Sequence, residues 1–127
     1  MNAVDTNILV YAISADETVK GPVAMTLLDS LSAADTILLW QVTCEFGAVL
    51  AKLYARGQAD SNAFAALAAW RSRFPLVMPH PAVLDRGLEI HREHGISYWD
   101  ALLLAACVDA GVDRMYLARP SAATKRV

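Results

Sequence analysis

Apolar positions in this chain follow two alternating patterns. Short unbroken apolar runs read as buried strands, and longer stretches with apolar residues every three or four positions read as helices. The opening Ala3–Val4–Asp5 reads as a short strand that Asp5 ends, and Thr6–Asn7 then starts a helical stretch through Ile8–Ala12. A helix over Pro22–Leu31 follows, with Pro22 near its first turn, where a missing N–H costs little. Ile37–Trp40 is an apolar run between polar residues and reads as a second strand. Val42–Tyr54 reads as a helix because Val42, Phe46, Val49, Leu50 and Leu53 recur on one face, and Gly57 is placed to close it. Ser61–Phe74 is an alanine-rich helix, and Pro75–Pro79 a strand whose flanking prolines suit a sheet edge. Two more helices, Ala82–His94 and Tyr98–Ala110, end at Gly95 and Gly111, and Arg114–Leu117 is the last strand.

Strands alternating with helices imply an α/β domain with a parallel sheet and helices on both faces. A chain of 127 residues is one domain's worth. Hydrophobic residues at 56% and charged residues at 19% exclude a disordered chain. No apolar run reaches the roughly 18–20 residues of a membrane span, and no secretory leader is expected, so the expected location is the cytoplasm. Cys44 and Cys107 sit within apolar helical patterns and read as buried small hydrophobes in a reducing compartment. The formal net charge of −2 excludes a bulk polycation, so nucleic acid would have to bind locally, through a basic patch or a bound metal.

Three carboxylates stand at unusual places. Asp5 ends the first strand, at the sheet edge where open α/β folds bind ligands; a helix N-cap is its plain structural alternative. Glu45 falls in the first turn of the helix from Val42, roughly 60° off the apolar stripe at about 100° per residue. There it either has a partner or only complements the helix dipole. Asp100 precedes Ala101–Val108, apolar on every side and therefore expected at the centre of the fold. Ser97 and Asp100 also fit a capping box. All three sit at strand-to-helix junctions or first turns, which this fold brings to one rim. Carboxylates so close repel unless a cation lies between them, and Mg²⁺ or Mn²⁺ suits oxygen ligands.

At these residues the chain resembles the PIN-domain ribonucleases, specifically the VapC-type toxins of prokaryotic toxin–antitoxin pairs. Val4–Asp5–Thr6–Asn7–Ile8–Leu9–Val10–Tyr11 is similar to the family's first strand and turn, Glu45 to its second acid, and Ser97–Tyr98–Trp99–Asp100–Ala101 to its third-acid motif. The resemblance covers residues 1–117 as a PIN domain, with 118–127 an atypical, loose tail. It implies a three-layer α/β/α fold around a short parallel sheet of four or so strands. It also implies a Mg²⁺- or Mn²⁺-dependent endoribonuclease. Asp5 and Asp100 would be metal ligands, and Glu45 would hold the metal or its water and orient or deprotonate the attacking water. Thr6, Asn7 and Ser97 would aim the carboxylates from behind. A cognate antitoxin and a homodimer are the implied protein partners, beside an RNA substrate and no membrane.

One departure stands out. The family usually carries a fourth acid after the last strand, whereas here Met115–Tyr116–Leu117 runs into Ala118–Arg119–Pro120 and no acid follows Asp113. A four-acid site would lose a charge, so a degenerate PIN domain that binds antitoxin or RNA without cutting is the alternative. Lys52 and Arg56, i and i+4 on the Glu45 helix, and Arg71 and Arg73 on the next are candidate RNA-backbone contacts, or else ordinary solvated and dipole-paired cations. Trp40, Trp70 and Trp99 read as core or interface more readily than as base-stacking platforms. A haloacid-dehalogenase-like phosphatase would need a second Asp where Asn7 stands, and a P-loop would need a Gly-rich turn after the first strand.

Overall fold

The first strand, β1 (Asn2–Val4), ends at Asp5, whose extended backbone and side chain cap helix α1 (Thr6–Ile13). Helix α2 (Lys20–Ser30) follows, then β2 (Leu38–Leu39), α3 (Trp40–Ala55), α4 (Ser61–Arg73), β3 (Leu76–Val77), α5 (Ala82–His94), α6 (Tyr98–Asp109) and β4 (Arg114–Tyr116). This computed structural model describes residues 1–59 and 61–118. All but the first residue of the expected tail therefore lies outside the described residues.

The sheet is parallel throughout. β1 pairs with β4, Val4 opposite Tyr116, and β2 pairs with β3, Leu39 opposite Val77. A parallel bridge between Asn2 and Thr36 joins the two ladders, with the Ile37 amide donating to the Asn2 carbonyl at 2.9 Å. The order is thus β3–β2–β1–β4, with the proline-flanked β3 at an edge, where its missing N–H groups cost no ladder bond. All carboxyl ends point to one rim. Asp5 and the starts of α1 and α3 lie there, because β1 and β2 each run straight into a helix.

Two packed clusters hold the layers. Val4, Leu9, Leu28, Leu38, Val42, Phe46, Leu50, Trp70 and Phe74 form the main core, with Cys107 reaching in from α6. Phe46 is fully buried and meets Trp70 with ring centroids 5.7 Å apart. Val83, Ile90, Ala101, Ala105 and Ala106 form a second cluster between α5 and α6. Gly87 lets these helices approach: a Cβ there would stand 3.1 Å from the Leu102 Cα.

Several expectations are corrected. Ile37 and Trp40 are not strand, since Trp40 already opens α3, and β3 is confined to Leu76–Val77 between its prolines. Helix α6 is not buried on every side: Leu104 is 48% and Val108 68% exposed. Its buried face is made of the small residues Ala101, Ala105 and Ala106, which seat it on α5. Cys44 is exposed, because it lies about 200° round α3 from the buried Val42. Cys107 is buried as expected, and burial pushes its thiol pKa up. Arg73 is no free cation: its guanidinium donates to the carbonyls of Leu28, Asp29 and Leu31, closing the C-terminus of α2. No described helix is long and apolar enough to cross a membrane.

Candidate active site

Asp5 sits at the end of β1 with 8% of its surface exposed. Its Oδ1 accepts from the Thr6 backbone N–H at 2.7 Å, so the capping reading is fulfilled and one carboxylate oxygen is fixed by it. Asp5 and Asp100 line one cleft, together with Leu103, Leu104, Cys107, Leu117 and Ala118. Two carboxylates lining one cleft are a donor pair that a hard cation accepts.

Glu45 reaches the same rim from α3. Because α3 starts at Trp40, Glu45 falls in the second turn rather than the first, and no acid lies in the first turn. The dipole therefore does not account for it. Its partners do: Thr6 Oγ1 donates to Glu45 Oε2 at 2.8 Å and Gln41 Nε2 to Glu45 Oε1 at 3.2 Å. The same Gln41 nitrogen donates to the Trp99 carbonyl at 3.1 Å, one residue before Asp100. Hydrogen bonds and adjacent residues thus run from Asp5 through Thr6, Glu45, Gln41 and Trp99 to Asp100.

Other residues singled out from the sequence are placed as follows. Ser97 is the N-cap of α6, its Oγ accepting from the Asp100 N–H at 3.2 Å, which fixes the turn that carries Asp100. Asn7 Nδ2 donates to the Ala118 carbonyl at 3.3 Å, so it holds the segment after β4. Lys52 and Arg56 are exposed at the far end of α3, roughly 10 and 16 Å along the axis from Glu45 at 1.5 Å per residue. Trp70 is core, but Trp40 and Trp99 are 43% and 63% exposed and flank Glu45 in a second cleft with Cys44 and Leu102. Sequence reasoning missed Gln41. Its signal was available: it stands at i−4 from Glu45 on the same helix face.

Carboxylate oxygens on a partly closed rim are the donor set a hard divalent cation takes. Among the described residues no three acidic, histidine or cysteine side chains are gathered as a ready metal cluster. Two carboxylates on one cleft still fit Mg²⁺, which usually keeps several waters and takes only one or two protein carboxylates.

The fold is a parallel α/β domain that carries Asp5, Glu45 and Asp100 at the carboxyl ends of its strands. The chain belongs to the PIN domain family, whose pattern matches residues 3–116. Among solved structures it is similar to VapC20 of Mycobacterium tuberculosis, described as a sarcin-ricin loop cleaving toxin, with a TM-score of 0.72 at 19% identity. That match covers 95% of this chain and 92% of the other. A toxin–antitoxin complex from Klebsiella pneumoniae matches with a TM-score of 0.64 at 18% identity, over 90% of this chain and 83% of the other. VapBC2 of Rickettsia felis, bound to a DNA fragment from its promoter, matches with a TM-score of 0.57 at 15% identity, over 92% and 96%. At these identities the likeness is one of fold. No curated protein matches the sequence.

Proposed function

We propose that the chain is a divalent-metal-dependent endoribonuclease, acting as the toxin of a toxin–antitoxin pair. Family membership supports nuclease chemistry. The observation that carries the reading is the joined rim: Asp5 and Asp100 on one cleft, with Glu45 tied to the residue after Asp5 by a 2.8 Å hydrogen bond.

In this reading Asp5 and Asp100 would hold Mg²⁺ or Mn²⁺. When bound, such a cation binds the phosphate, acidifies water and stabilises the leaving oxygen. Thr6 fixes Asp5 through its backbone and Glu45 through its hydroxyl, so both carboxylates keep their aim. Each Glu45 oxygen accepts a hydrogen bond from the protein and has a second lone pair with which it could accept from a water. In this reading Glu45 would orient the attacking water and take its proton. Ser97 holds the Asp100 turn, and Asn7 keeps the Ala118 segment against α1. Lys52 and Arg56 would meet RNA phosphates leaving the site.

The fold shared with the Klebsiella pneumoniae toxin–antitoxin complex supports an antitoxin partner for this chain. Exposed Val19 before α2, Val23 and Met25 on it, and Leu104 and Val108 on α6 supply apolar surface for a homodimer or for that partner. The cytoplasm is the location that fits an RNA-cutting toxin.

One observation favours a second reading, a PIN domain that binds without cutting. Leu117 and Ala118 line the Asp5–Asp100 cleft where the family usually has its fourth acid. One experiment separates the two: incubate the protein with a structured RNA and with the same sequence as DNA, in Mn²⁺, in Mg²⁺ and in chelator. Metal-dependent RNA cleavage supports the nuclease. RNA retention without cleavage in any metal supports the binding protein.

A further inference from the structure

Gln41 is the second residue of α3, and both hydrogens of its amide are committed to acceptors, Glu45 Oε1 at 3.2 Å and the Trp99 carbonyl at 3.1 Å. A flipped amide would set its oxygen against both, so the orientation is fixed. The cost lies at the other end of the group. Gln41 Oε1 is buried and has no hydrogen-bond partner among the described residues. Folded chains rarely leave a buried acceptor unpaired, since that group gives up water for nothing. Local violations of this kind gather where function requires a geometry that stability alone would not choose.

The two acceptors show what the geometry serves. One belongs to Glu45; the other precedes Asp100 in the first turn of α6. Helix α3 grows out of β2, while α6 is seated mainly on α5, so these carboxylates ride on separately anchored elements. A rigid amide between them fixes their spacing. We propose that Gln41 is a positioning residue that sets the distance between the Glu45 carboxylate and the Asp100 turn. Its catalytic consequence rests on the nuclease reading above; its structural consequence does not.

The test uses Gln41→Met, which keeps the side chain's length and packing while removing both the tether and the unpaired oxygen. Three readouts are expected. The melting temperature stays equal to the wild type or rises. Backbone amide exchange quickens at Trp99–Ala101, with the core helices unchanged. RNA cleavage shows kcat down by about 10- to 100-fold with KM within about twofold, the pattern of misplaced reacting groups. Gln41→Glu, similar in shape but without a donor when ionised, should lose kcat likewise. Wild-type cleavage by Gln41→Met, or unchanged exchange in the α6 turn, would overturn the proposal. So would a melting temperature lower by more than about 4 °C, which marks an ordinary structural contact. A wild-type protein that cuts no RNA refutes the nuclease reading instead, and the exchange and melting readouts then decide the tether alone.

Discussion

Thr6 touches two of the three acids at once, through its backbone N–H to Asp5 and its hydroxyl to Glu45. Thr6→Val keeps the shape and the helix cap but removes the hydroxyl. Cleavage should fall by about 10- to 100-fold, the usual loss when a partner of a metal-site carboxylate is removed, while thermal stability stays near wild type. Glu45 is exposed, so water replaces the lost bond without cost to the fold. Asp5 and Asp100 were legible in the sequence because each interrupts a pattern: a strand stopped by an acid, and an acid before an apolar run. Gln41 was legible only in part: its i−4 spacing from Glu45 could be read along the helix, but its second partner, the Trp99 carbonyl on another helix, could not. The cysteines separate on the same ground. Cys44 should react readily with a thiol reagent at neutral pH. Cys107, mostly buried and with its thiol pKa raised by burial, should react much more slowly, which mass spectrometry after timed alkylation resolves.

At the scale of elements, order and type followed from hydrophobic period, whereas contacts between elements did not. Gly57, Gly95 and Gly111 end α3, α5 and α6 at positive φ, as their positions after apolar runs foretell. Arg73 read equally well as an RNA contact or a dipole partner, because its real partners, three carbonyls at the end of α2, lie more than forty residues away. Arg73→Ala should cost about 2 kcal/mol in denaturant unfolding, from the loss of hydrogen bonds to a charged donor. Helix α6 misled for a related reason. Its apolar periodicity is nearly complete, and only the packing against α5 shows which side is covered. Gly87→Val would push β-branched bulk into Leu102, where even a Cβ stands 3.1 Å from the Cα. We expect a loss of about 1–3 kcal/mol with the α5–α6 pair loosened first, visible as local amide exchange.

Across the whole molecule, the sheet draws distant parts of the sequence onto one rim, and the two chain segments at its β4 edge are pinned together. The N-terminal ammonium lies 3.0 Å from Asp113 and holds its carboxyl below the usual carboxylate range. A lowered folded-state value stabilises the fold above the unfolded value and is lost as pH falls through the folded one. The pair is exposed, so the effect should be small and fade in salt; comparing acid melts of the wild type and Asp113→Asn measures it. The same rim carries the central claim, that Asp5, Glu45 and Asp100 act as one metal-dependent RNA-cutting centre. The most direct measurement is single-turnover cleavage of a structured RNA in Mn²⁺ by the wild type and by Asp5→Asn, each confirmed folded. The account predicts cleavage abolished by chelator and reduced more than about 100-fold in the variant, beyond the 10- to 100-fold typical of outer partners. Equal cleavage by both proteins would contradict it.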